Sequence, residues 1–264
     1  MTFIDGDYYE SLADLSFGDM YSSNFFQPNY SSIKNCFDKF ENPIFFIETH
    51  RIPYLFHELN NFSDKCRVIA HNSDYTFGSE ILPHIPKNVE RIWCQNYNYQ
   101  ENDLIKSLPI GLERKRWFPE QRKQELLMEV NELDIERTEL VYMNFDPKTN
   151  PIRNSIFQSL KDKSFINDKM VGNGGNYKEY LMDLKRHKFV ISPPGNGIDC
   201  HRNWEALMMG CVPIVLDSPF IKNVYGSMSL IIDNYSTLDE QSVLSFETSI
   251  DMYHINSKYT NIFQ

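Results

Sequence analysis

A chain of 264 residues, 41% hydrophobic and 23% charged, has the composition of a folded globular protein, with room for one large α/β domain or two small ones. Its net charge of −10 argues against a nucleic-acid backbone or an anionic membrane as the main partner, while a small anion in a locally basic cleft remains compatible. The five scattered cysteines, Cys36, Cys66, Cys94, Cys200 and Cys211, form no C-x-x-C, which argues against a disulfide framework or a zinc site and for reduced thiols in a cytoplasmic compartment.

The opening MTFIDGDYYESLADLSFGDM is acidic and interrupted, unlike a signal peptide. No uncharged apolar run approaches the roughly 20 residues that cross a bilayer, so no membrane span is expected. NYSSIKNCFDKF predicts a helix started by Ser31 or Ser32, PIFFIETH a buried strand, and RIPYLFHELNNF a helix with Pro53 in its first turn. CRVIAHNSDYTF is an apolar strand with a polar tip, and ERIWCQNYN and DLIKSLPIGLE are two further short strands. Strands with polar ends, separated by helices, describe βα units and a parallel sheet.

A charged stretch, ERKRWFPEQRKQELLMEVNELDIERTE, then breaks the pattern and reads as a domain connection with a helical middle. A second series follows: ELVYMNFD as strand, NPIRNSIFQSL as helix, SFINDKMVG as strand and NYKEYLMDLKRHK as helix. FVISPPG, the helix His201–Met209, CVPIVLD and SLIIDN complete it, with a partly helical tail. The expected organisation is an N-terminal α/β domain over 1–120, a charged linker over 121–137 and a C-terminal α/β domain over 138–264.

Two glycine turns, VGNGGNY and PPGNGIDC, fall short of G-x-G-x-x-G, because Tyr177 and Cys200 stand where the third glycine belongs. They read as loops at the carboxyl ends of strands, where open α/β sheets place ligands. The one D-x-D, Asp5-Gly6-Asp7, precedes any recognisable strand and reads as a solvated turn. No G-x-S-x-G nucleophile elbow is present.

The stretch SPPGNGIDCHRNWEALMMGCVPIVLDSPF, from Ser192 to Phe220, raises the sharpest question. His201 and Arg202 occupy the first turn of a helix, the end that is already electropositive. That placement suits a bound anion, with Glu205 one turn deeper for sugar hydroxyls. The plainer alternative is Asp199 as the N-cap residue and an Arg202–Glu205 pair within the helix, worth about 0.3–0.5 kcal/mol.

Across about two dozen residues, the Ser-Pro-rich turn, Arg202, Trp-Glu-Ala-Leu and Gly-Cys-x-Pro-Ile-Val, this stretch resembles the C-terminal signature of exostosin-like glycosyltransferases. HNSDYTF, LPIGLERKRWF and NFDPKTNPIR resemble further segments of compact relatives, of the kind found in microbes and large DNA viruses. The resemblance implies a GT-B architecture, two Rossmann-like parallel-sheet domains facing a central cleft. It also implies inverting transfer from a nucleotide diphosphate sugar to a glycan hydroxyl, with no cofactor and no obligatory metal. A UDP-sugar, with UDP-xylose first, is the expected donor.

On that basis Asp74 is the expected base, with Glu48 as runner-up and His71 as a positioning donor; His50 and Glu113 are further candidates. The expected donor side comprises Asn144, Thr149, Arg153, Ser192, Gly195, Asn196, Gly197, His201, Arg202 and Glu205. Two rival classes stand beside it. A non-catalytic carbohydrate-binding protein could have kept the fold, and another sugar-nucleotide enzyme is the other; an epimerase should show the dinucleotide glycines and a pyridoxal-type phosphorylase far greater length.

Overall fold

Runs such as Ile-Phe-Phe-Ile and Val-Ile-Ala have no polar side to show to water, so they become strands covered on both faces, as parallel sheets are. The computed structural model describes residues 4–19, 25–115, 122–168, 176–246 and 259. It divides into two compact units, Met1–Trp117 and Phe118–Gln264, each built on a five-stranded parallel sheet with its own apolar core.

In the first unit β1 (Leu15–Ser16), β2 (Ile44–Glu48), β3 (Cys66–His71), β4 (Val89–Cys94) and β5 (Ile105–Ser107) lie side by side in chain order. Helices α1 (Gly6–Ser11), α2 (Tyr30–Phe37) and α3 (Ile52–Leu59) accompany them. α3 buries Ile52, Leu55, Phe56 and Leu59, the stripe that a 3.6-residue period puts on one side.

The expected cap of α2 is corrected. Asn29, ahead of Ser31 and Ser32, accepts the Ser32 N–H at 3.0 Å, because an amide oxygen there reaches a free first-turn donor. The Asp5-Gly6-Asp7 reading is also corrected. Asp5 is buried and caps α1 by accepting from the Tyr8 N–H at 2.7 Å, while Asp7 pairs with Arg114. The segment is held there because Asp5 bridges Leu112 in parallel. Gly111 beside it, at φ +71°, has no room for a side chain against the Ile4 carbonyl.

The second unit contains β6 (Glu139–Met143), β7 (Ile166–Asp168), β8 (His187–Ile191), β9 (Val212–Leu216) and β10 (Leu230–Ile232). Their spatial order is β7-β6-β8-β9-β10. The chain leaves β6 toward one edge and returns to β6's other side for β8, so the progression reverses between β6 and β8. Helices α4 (Lys123–Asn131), α5 (Pro151–Leu160), α6 (Tyr177–Arg186), α7 (His201–Met208), α8 (Pro219–Val224) and α9 (Glu240–Ser245) surround the sheet.

Segment 121–137 is more than a connection. Its helix α4 buries Leu127 and Val130 and packs on α6 and α7. Beyond it, Arg137 donates to the carbonyls of Leu184, His187 and Met209. The six residues of α8 are too few to show a period, and only the Ser218 cap followed by Pro219 marks them. The glycines of VGNGGNY, the RWFPEQ residues of the charged stretch and most of the tail beyond Phe246 lie outside the described residues. Among the described residues no helix is long and apolar enough to cross a membrane.

Candidate functional site

The reversal between β6 and β8 is where an open α/β sheet has a crevice at its carboxyl edge, because the following loops diverge to opposite sides. Asn144 follows β6 and Ser192 follows β8, so both sit at that crevice. Asn144 is buried and donates to the Tyr142 hydroxyl at 2.6 Å, and that hydroxyl donates to Asp183 at 3.3 Å. Thr149 is exposed in the turn before α5, and Asn150 caps that helix.

Three carbonyls around the crevice are gripped by one side chain. Arg153, on the first turn of α5, donates through Nε to Pro194 at 2.8 Å, through Nη2 to Pro193 at 3.3 Å and through Nη1 to Asp146 at 3.3 Å. Asn150 adds a donor to the Gly195 carbonyl at 2.7 Å. Arg153 therefore shapes the Ser192–Gly195 turn as well as charging it. Burial, and then the neighbouring charge of Arg202, pull its guanidinium below the ordinary arginine pKa.

The same turn is fastened to α7. Ser192 Oγ donates to Asn203 Oδ1 at 2.6 Å, and Asn203 Nδ2 donates to Asp199 Oδ1 at 2.9 Å. Asp199 Oδ1 also accepts from the Cys200 N–H at 2.8 Å and the Tyr225 hydroxyl at 2.7 Å. Asp199 is thus a hub; Cys200, whose thiol lies 3.6 Å from Ser192 Oγ and does not cap the helix, is the N-cap residue, which corrects the expected cap. Gly195 and Gly197 are buried within the turn, Asn196 is exposed, and His201 is half-buried.

Arg202 carries the unusual physics. Its Nε and Nη1 are buried without a hydrogen-bond partner among the described residues, although the residue as a whole is half-buried. Leaving a buried donor unsatisfied costs about 1–3 kcal/mol, and more on a charged group. Burial works against its charge, but nearby Tyr180, Cys200, Glu205 and Tyr235 outweigh that and hold its pKa above the ordinary value. A second cation beside Arg153, at the positive end of α7, is an arrangement that an anion would complete.

No Arg202–Glu205 ion pair forms among the described residues, because Glu205 is engaged elsewhere. Its Oε1 accepts from the Tyr177 hydroxyl at 2.8 Å and its Oε2 from the Tyr180 hydroxyl at 3.0 Å. Burial, then the Glu205 charge, push the Tyr180 phenol well above the usual range, so it remains a neutral donor. Trp204, Leu207 and Met208 are buried, as expected for the side of α7 that packs on the sheet.

The strand tips of the first unit look different. Glu48 is buried, with Oε2 3.4 Å from Arg51 Nη1 and 3.8 Å from His50 Nε2. Arg51 also donates to the carbonyls of Phe17, Gly18 and Phe26. His71 is buried, with Nε2 donating to the Pro109 carbonyl at 3.0 Å and Nδ1 2.9 Å from Asn72 Oδ1. Asp74 is exposed in the loop after β3, next to Tyr75, and makes no hydrogen bond with a described residue. His50 joins this loop to the β2 tip through Ser73 Oγ at 3.2 Å, and Glu113 is half-buried beyond β5. Arg114, fully buried, pairs with Asp7, Glu10 and Asp19. An open pocket of about 820 Å³, lined in part by Phe56, His57, Lys65 and Lys87, lies at the opposite, amino end of β3 and β4.

Sequence reasoning missed Tyr177, Tyr180, Asp199 as a hub and Tyr225. Their one local signal in the sequence is the tyrosine spacing of three on α6. Among the described residues no group of three or more His, Cys, Asp or Glu side chains is placed to hold a metal ion.

No protein-family model matches the chain, and no curated protein matches it. Among solved structures it is similar to one described as trehalose-6-phosphate from E. coli bound with UDP-2-fluoro glucose. The identity is 12% and the TM-score 0.43, over 90% of this chain and 75% of that one.

Proposed function

We propose that the chain is a glycosyltransferase of the exostosin-like kind, whose second unit binds the diphosphate of a nucleotide sugar at the start of α7. One observation carries this reading: the buried, unpartnered Nε and Nη1 of Arg202 beside the Arg153 guanidinium. Arg202 would take the phosphate charge, Arg153 would hold the turn that backs it, and Glu205 would accept from the ribose hydroxyls.

Transfer is a single displacement. The acceptor oxygen forms a bond to the anomeric carbon while the bond from that carbon to the diphosphate breaks, which inverts the configuration. Asp74 takes the acceptor proton, and its exposure leaves it accessible to a glycan hydroxyl. Fixed positive charge at Arg202 stabilises the departing diphosphate, the kind of donor worth about 10²–10³ in rate. The proposed donor is a UDP-sugar, UDP-xylose first, and the proposed compartment is the cytoplasm. No metal is required in this scheme.

A second reading, a carbohydrate-binding protein without turnover, is favoured by the absence, among the described residues, of a hydrogen-bond partner to orient Asp74 and by the commitment of Glu48 to Arg51. Titration calorimetry against a panel of nucleotide sugars, followed by product analysis with and without EDTA, separates the two. Transfer that survives EDTA is expected. Binding without transfer would establish the second reading, and activity abolished by EDTA and restored by manganese would overturn the metal-free scheme.

A further inference from the structure

The Glu205 carboxylate is unusual in being fully directed by side chains from another helix. Tyr177 and Tyr180, both on α6, donate to it at 2.8 and 3.0 Å, one hydroxyl to each oxygen. The two phenol rings lie 5.9 Å apart and 34° from parallel, so each limits the other's tilt. Tyr177 is braced further by Lys123 of α4, whose ammonium lies 5.3 Å from the ring centroid. Tyr180 is braced by the Tyr142 ring at 6.4 Å.

We infer that Tyr177 and Tyr180 are positioning residues that fix the Glu205 carboxylate to accept a vicinal diol, making the site selective for ribose over deoxyribose. This rests on the donor-site reading above. Each carboxylate oxygen has more than one acceptor direction. With one hydroxyl already on each oxygen, the carboxylate cannot rotate without breaking a bond, and one acceptor direction on each oxygen remains for a neighbouring hydroxyl. Two adjacent sugar hydroxyls would satisfy both at once; a deoxyribose would leave one buried acceptor unmet, which is how polar sites discriminate. The high pKa of the Tyr180 phenol keeps that donor in place over the working pH range.

The test uses three probes, UDP, 2′-deoxy-UDP and inorganic diphosphate, titrated into the full chain and into Tyr177→Phe, Tyr180→Phe and the double variant. Phenylalanine keeps the rings and their stacking while removing the hydroxyls. The unaltered chain is expected to prefer UDP over 2′-deoxy-UDP by roughly tenfold or more, the size of a hydrogen bond to a charged group. In the double variant that preference should shrink to less than about threefold, with inorganic diphosphate binding unchanged and each single variant in between. An undiminished preference in the double variant overturns the inference while leaving the donor site standing. Equal loss of UDP and diphosphate binding overturns it in favour of a purely structural role for the tyrosines. If the unaltered chain binds neither UDP nor diphosphate, the donor reading fails and this inference fails with it.

Discussion

The two sheets contain the same number of parallel strands but handle their carboxyl edges differently. In the first unit the strands follow one another in chain order, without a reversal, and each buried cation at that edge has a carboxylate partner. Arg114 meets three carboxylates, and Arg51 meets Glu48 and three carbonyls, with only its Nε buried and unbonded among the described residues. In the second unit the order reverses between β6 and β8, and the cation placed at the reversal, Arg202, has two buried nitrogens with no hydrogen-bond partner among the described residues. Removing a cation that carboxylates surround strands those carboxylates, whereas a cation with two unbonded nitrogens beside a second cation is a candidate place for an anion.

The comparison breaks or sharpens at four points. The largest effect is expected for Asp74→Asn, which keeps the shape of the loop but removes the proposed base. UDP-sugar binding should persist while transfer falls by about 10²–10⁴-fold, measured by product formation under saturating donor. Near-normal turnover would shift the assignment to Glu48, and loss of folding in Glu48→Gln would then expose that carboxylate as a partner of Arg51 rather than a base.

Arg114→Met comes next. It should leave Asp7, Glu10 and Asp19 facing one another in a buried site, at a cost of about 3–5 kcal/mol. Calorimetry should then show the first unit melting more than about 10 °C lower. An unchanged melting temperature would mean that the three carboxylates find other partners.

Arg202→Ala should behave in the opposite way. Diphosphate affinity should fall roughly 10–100-fold, as for a charge-assisted contact, while melting without ligand holds or rises because a cation next to Arg153 is gone. A marked drop in melting temperature with unaltered affinity would make Arg202 a structural residue like Arg114.

The smallest effect concerns thiols. Burial raises Cys36 to about 11 and Cys66 to about 12, and it raises the Cys94 and Cys211 thiols as well. Since the thiolate is the reactive form, these four stay inert near neutral pH. Half-buried Cys200 should be the single thiol that reacts with an aromatic disulfide reagent in the folded protein, and UDP should slow it several-fold. Several fast-reacting thiols, or no effect of UDP, would contradict the placement of Cys200 at the rim of the proposed donor site.

Much of the frame could be read from local pattern. Apolar runs announced β2, β3, β8 and β9, and a spacing of three put Arg202 and Glu205 within reach of each other on α7. What those residues touch was not local. The hydroxyls on Glu205 come from 28 and 25 residues away, and the carboxylates on Arg114 from 107, 104 and 95 residues away. Periodicity reports which side of an element is apolar, not which distant polar group will meet it. One contact was within reach of the sequence: Glu48 and Arg51 stand three apart, the same spacing weighed for Arg202 and Glu205, and there the ion pair does form. The same spacing gives opposite outcomes because tyrosines claim Glu205, whereas among the described residues no such donors claim Glu48.

Asp199 has a consequence in time as well as in space. One of its oxygens gathers a backbone amide from the start of α7, a side-chain amide within α7 and a phenol from beyond α8. A local fluctuation that freed any one of these donors would leave the others holding a buried carboxylate in place, so piecemeal fraying gains little. The Ser192–Gly195 turn, α7 and the end of α8 should therefore open together as one cooperative unit. The Cys200 amide should exchange its hydrogen with solvent at the slow rate of that shared opening, rather than at the fast rate usual for a residue at a helix start.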